Sequence, residues 1–334
     1  MIPQAALLFA AVAVAAFAVA ATATGMVLPI LRRRAILDIP NERSSHAVPT
    51  PRGGGWGILC ALVPSVAASG WLSGGWPWVL AILGGGALLA AVSWMDDRHS
   101  LPASLRFAVQ IGAVTIGLTA LPSDADVFQG LLPYWLDRAF AAVAWLWFVN
   151  LYNFMDGIDG LAGGEAVSIG LGICALAAFA PVGVPMPWVA AAVAGAAAGF
   201  LCWNWHPARI FMGDVGSIPL GYVLGWLLLA LAASGQWIAA LLLPLYFLTD
   251  ATWTLLKRLV EGKPIFQAHR EHFYQQAVRS GRSHASVVRT VLAANVALIL
   301  LAVLSTEYGA VVLLPAALVM AVLIAQLRRE RAAT

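Results

Sequence analysis

The sequence predicts an all-α, polytopic membrane protein with about eleven transmembrane helices in a single integral domain spanning residues 1–334. Three observations predict it. The chain of 334 residues is 61% hydrophobic and only 10% charged, where a soluble domain carries about a quarter charged residues, and its mean hydropathy is +0.84. Apolar runs of about 17–25 residues recur from end to end, each long enough to cross a hydrocarbon core of about 30 Å as a helix. Only helices or closed barrels satisfy their backbone in lipid, and these runs are too long and too uniformly apolar for barrel strands.

Hydropathy places breaks near residues 31–53, 70–77, 96–103, 122–137, 153–160, 181–187, 204–216, 234–236, 257–287 and 306–309. The first run, ALLFAAVAVAAFAVAATATGMVLPIL, lacks the basic leading region of a signal peptide and is followed by LRRR, so it reads as a retained anchor. With the N-terminus periplasmic and the C-terminus cytoplasmic, all 19 Lys and Arg except Arg138 fall on the inner side, a strong positive-inside bias. The net charge of +3 is therefore a matter of orientation and gives no argument for a nucleic-acid partner. Cys60, Cys174 and Cys202 lie within apolar runs, at spacings that fit neither a zinc site nor a disulfide framework.

Five inner loops carry the polar clusters. The first, DIPNERSSHAVPTPRGGG, is barred from helix by Pro40, Pro49 and Pro51, and its three glycines let backbone approach a ligand. Asn41, Arg43, Ser44, Ser45 and Arg52 offer donors suited to an anion or a sugar, though a plain basic stop-transfer loop has the same composition. The second, MDDRHSLPASLRF, sets Asp96 beside Asp97 with Arg106 beyond. Such a pair is a helix cap or a site for a metal or a proton, because close like charges raise one pKa unless a cation compensates.

The third, NLYNFMDGIDGLAGG, places Asn150, Asn153, Asp156 and Asp159 three residues apart on one helical face. Carboxylates at membrane depth are costly and mark a pathway or a reaction centre. In the fourth, WNWHPARIFMGDVGS, Asp214 sits between two glycines just before another apolar run, as a helix cap or as a further oxygen ligand for Mg²⁺. The fifth, KRLVEGKPIFQAHREHFYQQAVRSGRSH, holds His269, Arg270, His272 and His284, and a cationic loop opposite a carboxylate-held cation suits a diphosphate. Together the loops, near 31–53, 96–106, 150–164, 204–217 and 257–287, describe a phosphoryl-transfer centre at the cytoplasmic face. Two other classes fit less well. A membrane prenyltransferase needs a second Asp-rich cluster where Asp214 stands alone, and a transporter places ionisable groups mid-span and on both faces.

DIPNERSSHAVPTPRGGG, the Asp96–Asp97 pair, NLYNFMDGIDGLAGG and FMGDVGS, in this order, resemble the motifs of the polyprenyl-phosphate N-acetylhexosamine-1-phosphate transferase superfamily. The resemblance implies a bacterial inner-membrane enzyme that moves a sugar-1-phosphate from a UDP-amino sugar to undecaprenyl phosphate and releases UMP. It implies Mg²⁺, with Mn²⁺ as a substitute, held by Asp214 and Asn153. Asp96 and Asp97 match the acidic pair, one of which is held to deprotonate the lipid phosphate. Arg106 takes the place of a phosphate-binding lysine, Asp156 and Asp159 match a second acidic motif, and Arg270 and His272 open the basic loop that grips the diphosphate. A membrane-lipid environment and a homodimer are further expectations. Many relatives carry His-x-His-His where this chain has His272, Phe273, Tyr274 and Gln275. That departure points to the branch that starts O-antigen synthesis with rarer amino sugars, and the alternative is a transferase specific for UDP-GlcNAc that serves another envelope glycan.

Overall fold

The structure, a computed structural model, describes residues 4–40, 48–180, 182–264 and 269–329. Asn41, Arg43 and Ser44, expected to bind substrate, lie outside the described residues. Helices account for nearly all of the fold: α1 (Gln4–Arg33), α2 (Gly55–Ser73), α3 (Trp76–His99), α4 (Ala103–Leu118), α5 (Tyr134–Phe154), α6 (Leu161–Phe179), α7 (Pro187–Asn204) and α8 (Asp214–Leu231). A π-turn leads into α9 (Trp237–Leu242), followed by α10 (Leu245–Val260), the short α11 (Phe273–Arg279), α12 (His284–Tyr308) and α13 (Leu313–Arg328).

Local chemistry sets many of the boundaries. Proline caps or opens α3, α4, α5, α7 and α10, where its missing N–H costs nothing and its fixed φ suits a first turn. Gly74 ends α2 in the left-handed conformation. The helix ends fall within a few residues of the breaks read from hydropathy. Among the described residues, seven segments are long and apolar enough to cross a membrane, two of which, Asp214–Leu242 and His284–Arg328, are continuous stretches of 29 and 45 residues. The chain is a polytopic membrane protein.

The expectation of a purely helical chain misses one detail. Leu37–Asp38 (β1) pairs antiparallel with Thr50–Pro51 (β2), and Arg52 bridges in parallel to Phe211. Gly53 and Gly54 N–H donate to Phe211 O at 3.1 and 2.8 Å, and Gly55 N–H to Met212 O at 2.9 Å. Residues 51–55 thus lie along the loop that leads into α8.

α8 is the axis of the bundle, buried on every side and packed by α2, α3, α5, α6 and α9. A helix that is apolar all round has no solvent or lipid face to keep polar. Its first residue is Asp214, so the central position of the helix sets that carboxylate at the middle of one end of the bundle.

The α2–α8 crossing depends on two glycines. A Cβ on Gly55 would stand 2.1 Å from Gly216 Cα, against backbone that cannot give way. Gly55→Ala is therefore expected to lower stability by about 1–3 kcal/mol through overpacking. Gly84→Ala, where a Cβ meets nothing within 4 Å, is expected to be neutral or stabilising in mid-helix. Thermal unfolding of the two variants in one detergent checks the contrast.

Candidate active site

Arg52 is the hub of the site. The backbone bonds between its strand and Phe211 fix the root of the side chain, and Nη2 then reaches Asp97 Oδ1 at 2.7 Å and Asp214 Oδ1 at 2.8 Å. Burial works against its charge, but Asp214 and Asp97 outweigh burial and hold the guanidinium above its ordinary pKa. Asp97 also accepts the backbone N–H groups of Asp214 and Val215 at 3.4 and 3.2 Å. It caps α8 from another helix and satisfies donors that a helix N-terminus otherwise leaves unpaired. Its side chain is only 1% exposed, whereas that of Asp214 is 17% exposed.

The adjacent pair Asp96–Asp97 therefore splits into two jobs. Asp97 turns inward to Arg52 and α8. Asp96 accepts Leu101 N–H at 2.7 Å and pairs with Arg106 Nη1 at 2.8 Å, which ties the end of α3 to the start of α4. Arg106 and Gln110 line a small cleft whose other walls are Leu89, Val92, Ser93, Val109 and Ile218.

The acidic turn between α5 and α6 divides in the same way. Asn150 donates to Gln110 Oε1 at 2.8 Å and to Leu146 O at 2.7 Å, which engages its amide in joining α5 to α4. The Asn153 side chain makes no hydrogen bond among the described residues. Asp156 is half-buried and lies within electrostatic reach of Arg52, Asp97 and Asp214. Burial, then the charge of Asp214, pushes its carboxyl well above the usual range, with Arg52 opposing. Among the described residues, Asp97, Asp156 and Asp214 thus gather around one guanidinium, more carboxyl groups than it pairs with directly.

Asp159 points elsewhere. Its Oδ2 meets His206 Nδ1 at 2.6 Å, His284 Nδ1 at 3.2 Å and Ala208 N–H at 3.1 Å, so it ties the acidic turn to the fourth and fifth loops. The ligand atoms of Asp159, His206 and His284 lie within 4.8 Å of one another. Bonds of about 2.0–2.1 Å to a shared ion keep ligand atoms roughly 3 Å or more apart, so the 2.6 Å contact is a direct hydrogen bond. Burial favours the neutral acid, but the hydrogen bonds from His284 and His206 prevail and hold the Asp159 carboxyl below its usual range. A depressed carboxylate contributes stability that is present above its unfolded pKa and is lost as pH falls through the folded one. Acidification is expected to lower the unfolding temperature more in the wild type than in Asp159→Asn, measured by differential scanning fluorimetry across acid pH.

The basic loop is held from below. His272 is 2% exposed and places Nδ1 at 3.2 Å from Asp250 Oδ1; it caps α11. Burial pushes the neighbouring His269 down to about 4, with His272 and Arg258 adding to the effect. Arg258 pairs with Glu271, and Lys263 reaches the same carboxylate at 3.3 Å. Arg270 is half-buried at the loop's start.

Sequence reasoning missed Asp250, which is wholly buried, and the role of His206. A carboxylate inside the apolar run LYFLTDATW was a usable signal, since ionisable groups within such runs are costly and have partners. His206 gave none, because its partner lies 47 residues away in the chain.

Known proteins resemble this chain over most of its length. Residues 79–232, which include Asp96, Asp97, the acidic turn and Asp214, match the family model described as glycosyl transferase family 4. A probable undecaprenyl-phosphate N-acetylglucosaminyl 1-phosphate transferase of Bacillus subtilis is 31% identical over 83% of this chain and 80% of its own. The decaprenyl-phosphate N-acetylglucosaminephosphotransferase of Mycobacterium tuberculosis is 30% identical over 80% of this chain and 74% of its own. A phospho-N-acetylmuramoyl-pentapeptide-transferase of Chlamydia pneumoniae is 33% identical over 52% of this chain and 58% of its own. With these matches spanning the bundle and its inner loops, the chain belongs to glycosyl transferase family 4, within the polyprenyl-phosphate N-acetylhexosamine-1-phosphate transferase superfamily.

Proposed function

We propose that this protein transfers an N-acetylated amino-sugar 1-phosphate from a UDP-sugar to undecaprenyl phosphate, releasing UMP, at the cytoplasmic face of a bacterial inner membrane. The observation that carries this reading is the constellation of Asp97, Asp156 and Asp214 around Arg52. An excess of carboxylates with amide oxygen nearby is the hard, all-oxygen donor set that Mg²⁺ prefers. Asp214 and Asn153 would hold the ion, which would neutralise charge on the donor diphosphate. A topology of about eleven spans, with the N-terminus periplasmic and the C-terminus cytoplasmic, would put Arg52, Arg106 and Arg270 on the inner side.

In the reaction, an oxygen of the lipid phosphate attacks the β-phosphorus of the UDP-sugar in line, and the bond to the UMP oxygen breaks. A phosphate monoester is already largely ionised at neutral pH, its second pKa being about 6, so no strong base is needed. Asp97, engaged with Arg52 and the α8 N-terminus, positions Asp214. Asp96 orients Arg106, whose guanidinium would supply positive charge to the lipid phosphate. Arg270 would supply positive charge from the basic loop, and His272, held on Asp250, would position that loop.

The activities named for the Bacillus and Mycobacterium relatives favour GlcNAc as the sugar. Initiation of O-antigen with a rarer amino sugar rests on the sequence His272–Phe273–Tyr274–Gln275. Membranes containing the protein, given a panel of UDP-amino sugars and undecaprenyl phosphate, are expected to release UMP with one preferred donor. Absence of lipid-dependent UMP release with every donor would refute the reaction.

A further inference from the structure

The basic loop and the acidic turn approach each other across the site, and two buried side chains join them. Tyr274 is fully buried. Its ring stacks on His272 with centroids 5.7 Å apart and planes at 14°, and its hydroxyl donates to Phe154 O at 3.0 Å. The same hydroxyl lies 2.1 Å from where a Cβ on Gly157 would stand, so the phenol occupies space that only glycine leaves. Gln275 Oε1 accepts His272 N–H at 3.3 Å and closes the first turn of α11.

Beneath this contact sits Asp250, on α10. Its carboxylate accepts the Tyr246 and Thr254 hydroxyls at 3.0 and 3.2 Å, and the N–H groups of Phe273 and Tyr274 at 3.0 and 3.3 Å. With His272 Nδ1 at 3.2 Å, four donors and one imidazole nitrogen surround the carboxylate. Buried carboxylates are costly unless satisfied in this way, and here the compensation fixes both the start of α11 and the His272 ring.

We propose that Asp250 and Tyr274 are positioning residues that set the gap between the basic loop and the acidic turn, and so the space in which the donor diphosphate is held. This rests on reading this face as the diphosphate site. The mechanical path is short. Phe154 adjoins Asn153, Gly157 adjoins Asp156, and Tyr274 lies two residues from His272. Neither side chain reaches substrate, because both are wholly buried; each acts through its neighbours. The two departures from His-x-His-His thereby gain a cause: a phenol at 274 spans to the Phe154 carbonyl, and an amide at 275 closes the capping box.

The test uses the purified full chain in detergent, with the variants Tyr274→Phe, Gly157→Ala, the double variant and Asp250→Asn. Tyr274→Phe keeps the ring and removes the tether. Hydrogen–deuterium exchange of its amides at 153–157 and 269–275 is expected to rise while exchange in the membrane helices stays as in the wild type. Its kcat with UDP-GlcNAc is expected to fall by up to about 100-fold, as for a reacting group misplaced by about 1 Å, with KM nearly unchanged. Gly157→Ala is expected to give the same phenotype, and Tyr274→Phe to rescue it partly by removing the clashing hydroxyl, a non-additive cycle. Unchanged exchange in Tyr274→Phe, or additive effects of the two substitutions, would overturn the proposal. Asp250→Asn is expected to raise exchange in 269–275 most strongly, and if it fails to fold, the Tyr274–Gly157 cycle decides. An inactive wild type whose Tyr274→Phe variant still shows the local rise in exchange would refute the proposed reaction and leave the positioning contact standing.

Discussion

Arg52→Ala is expected to abolish transfer, lowering kcat/KM by about 10³-fold or more, equivalent to roughly 4 kcal/mol of transition-state stabilisation. One nitrogen of Arg52 meets both Asp97 and Asp214, and without it Asp97, Asp156 and Asp214 repel one another across the same space. Asp97 would still accept the α8 N–H groups, so the helix stays capped while the orientation of Asp214 is lost. Because a single Nη2 makes both contacts, a lysine ammonium can replace part of the charge without the guanidinium fork. Arg52→Lys is therefore expected to keep measurably more activity than Arg52→Ala. Equal activities for the two variants, or wild-type activity in Arg52→Ala, would show that the hub is not needed. Initial rates of UMP release, taken with unfolding temperatures, make the comparison.

Asp214→Asn is expected to cost as much activity and to do so by a different route. Asparagine keeps the shape and one oxygen but removes the charge that would hold Mg²⁺. The α8 cap and the packing of Gly55 on Gly216 are untouched, so the unfolding temperature should change little. Mn²⁺ titrated into the purified protein and followed by electron paramagnetic resonance is expected to bind the wild type and to bind Asp214→Asn much more weakly. Activity that returns fully at saturating Mg²⁺, with wild-type Mn²⁺ affinity, would remove Asp214 from the ion.

Much of the bundle was legible along the chain. Hydropathy read from charge-poor runs gives ends close to those of the long helices and misses the division of α9 from α10 and the short α11, because lipid-facing and buried helices must both be apolar over a membrane's width. The inner loops were legible as a group, since Asp96, Asp97, Asp156, Asp159 and Asp214 are carboxylates beside apolar runs. What each does within the group was not legible. Asp96 and Asp97 are neighbours in sequence, yet one turns to Arg106 and the other to Arg52. Asp156 and Asp159 share a helical spacing, yet one faces the carboxylate cluster and the other binds His206 and His284. The glycines of PRGGG suggested close approach to a ligand, and Gly54 and Gly55 give close approach to the backbone of residues 211–216, a contact that spacing along the chain did not reveal.

The sequence by itself determined that the chain crosses a membrane and which kinds of polar side chain stand in the loops between its helices. Those properties follow from composition and spacing, which act locally along the chain. Only the tertiary structure decided which carboxylates share Arg52, which one caps α8, and that Asp250 and Tyr274 join the basic loop to the acidic turn. Each of those contacts unites residues far apart in the chain, and a side chain's partner there depends on how the helices cross.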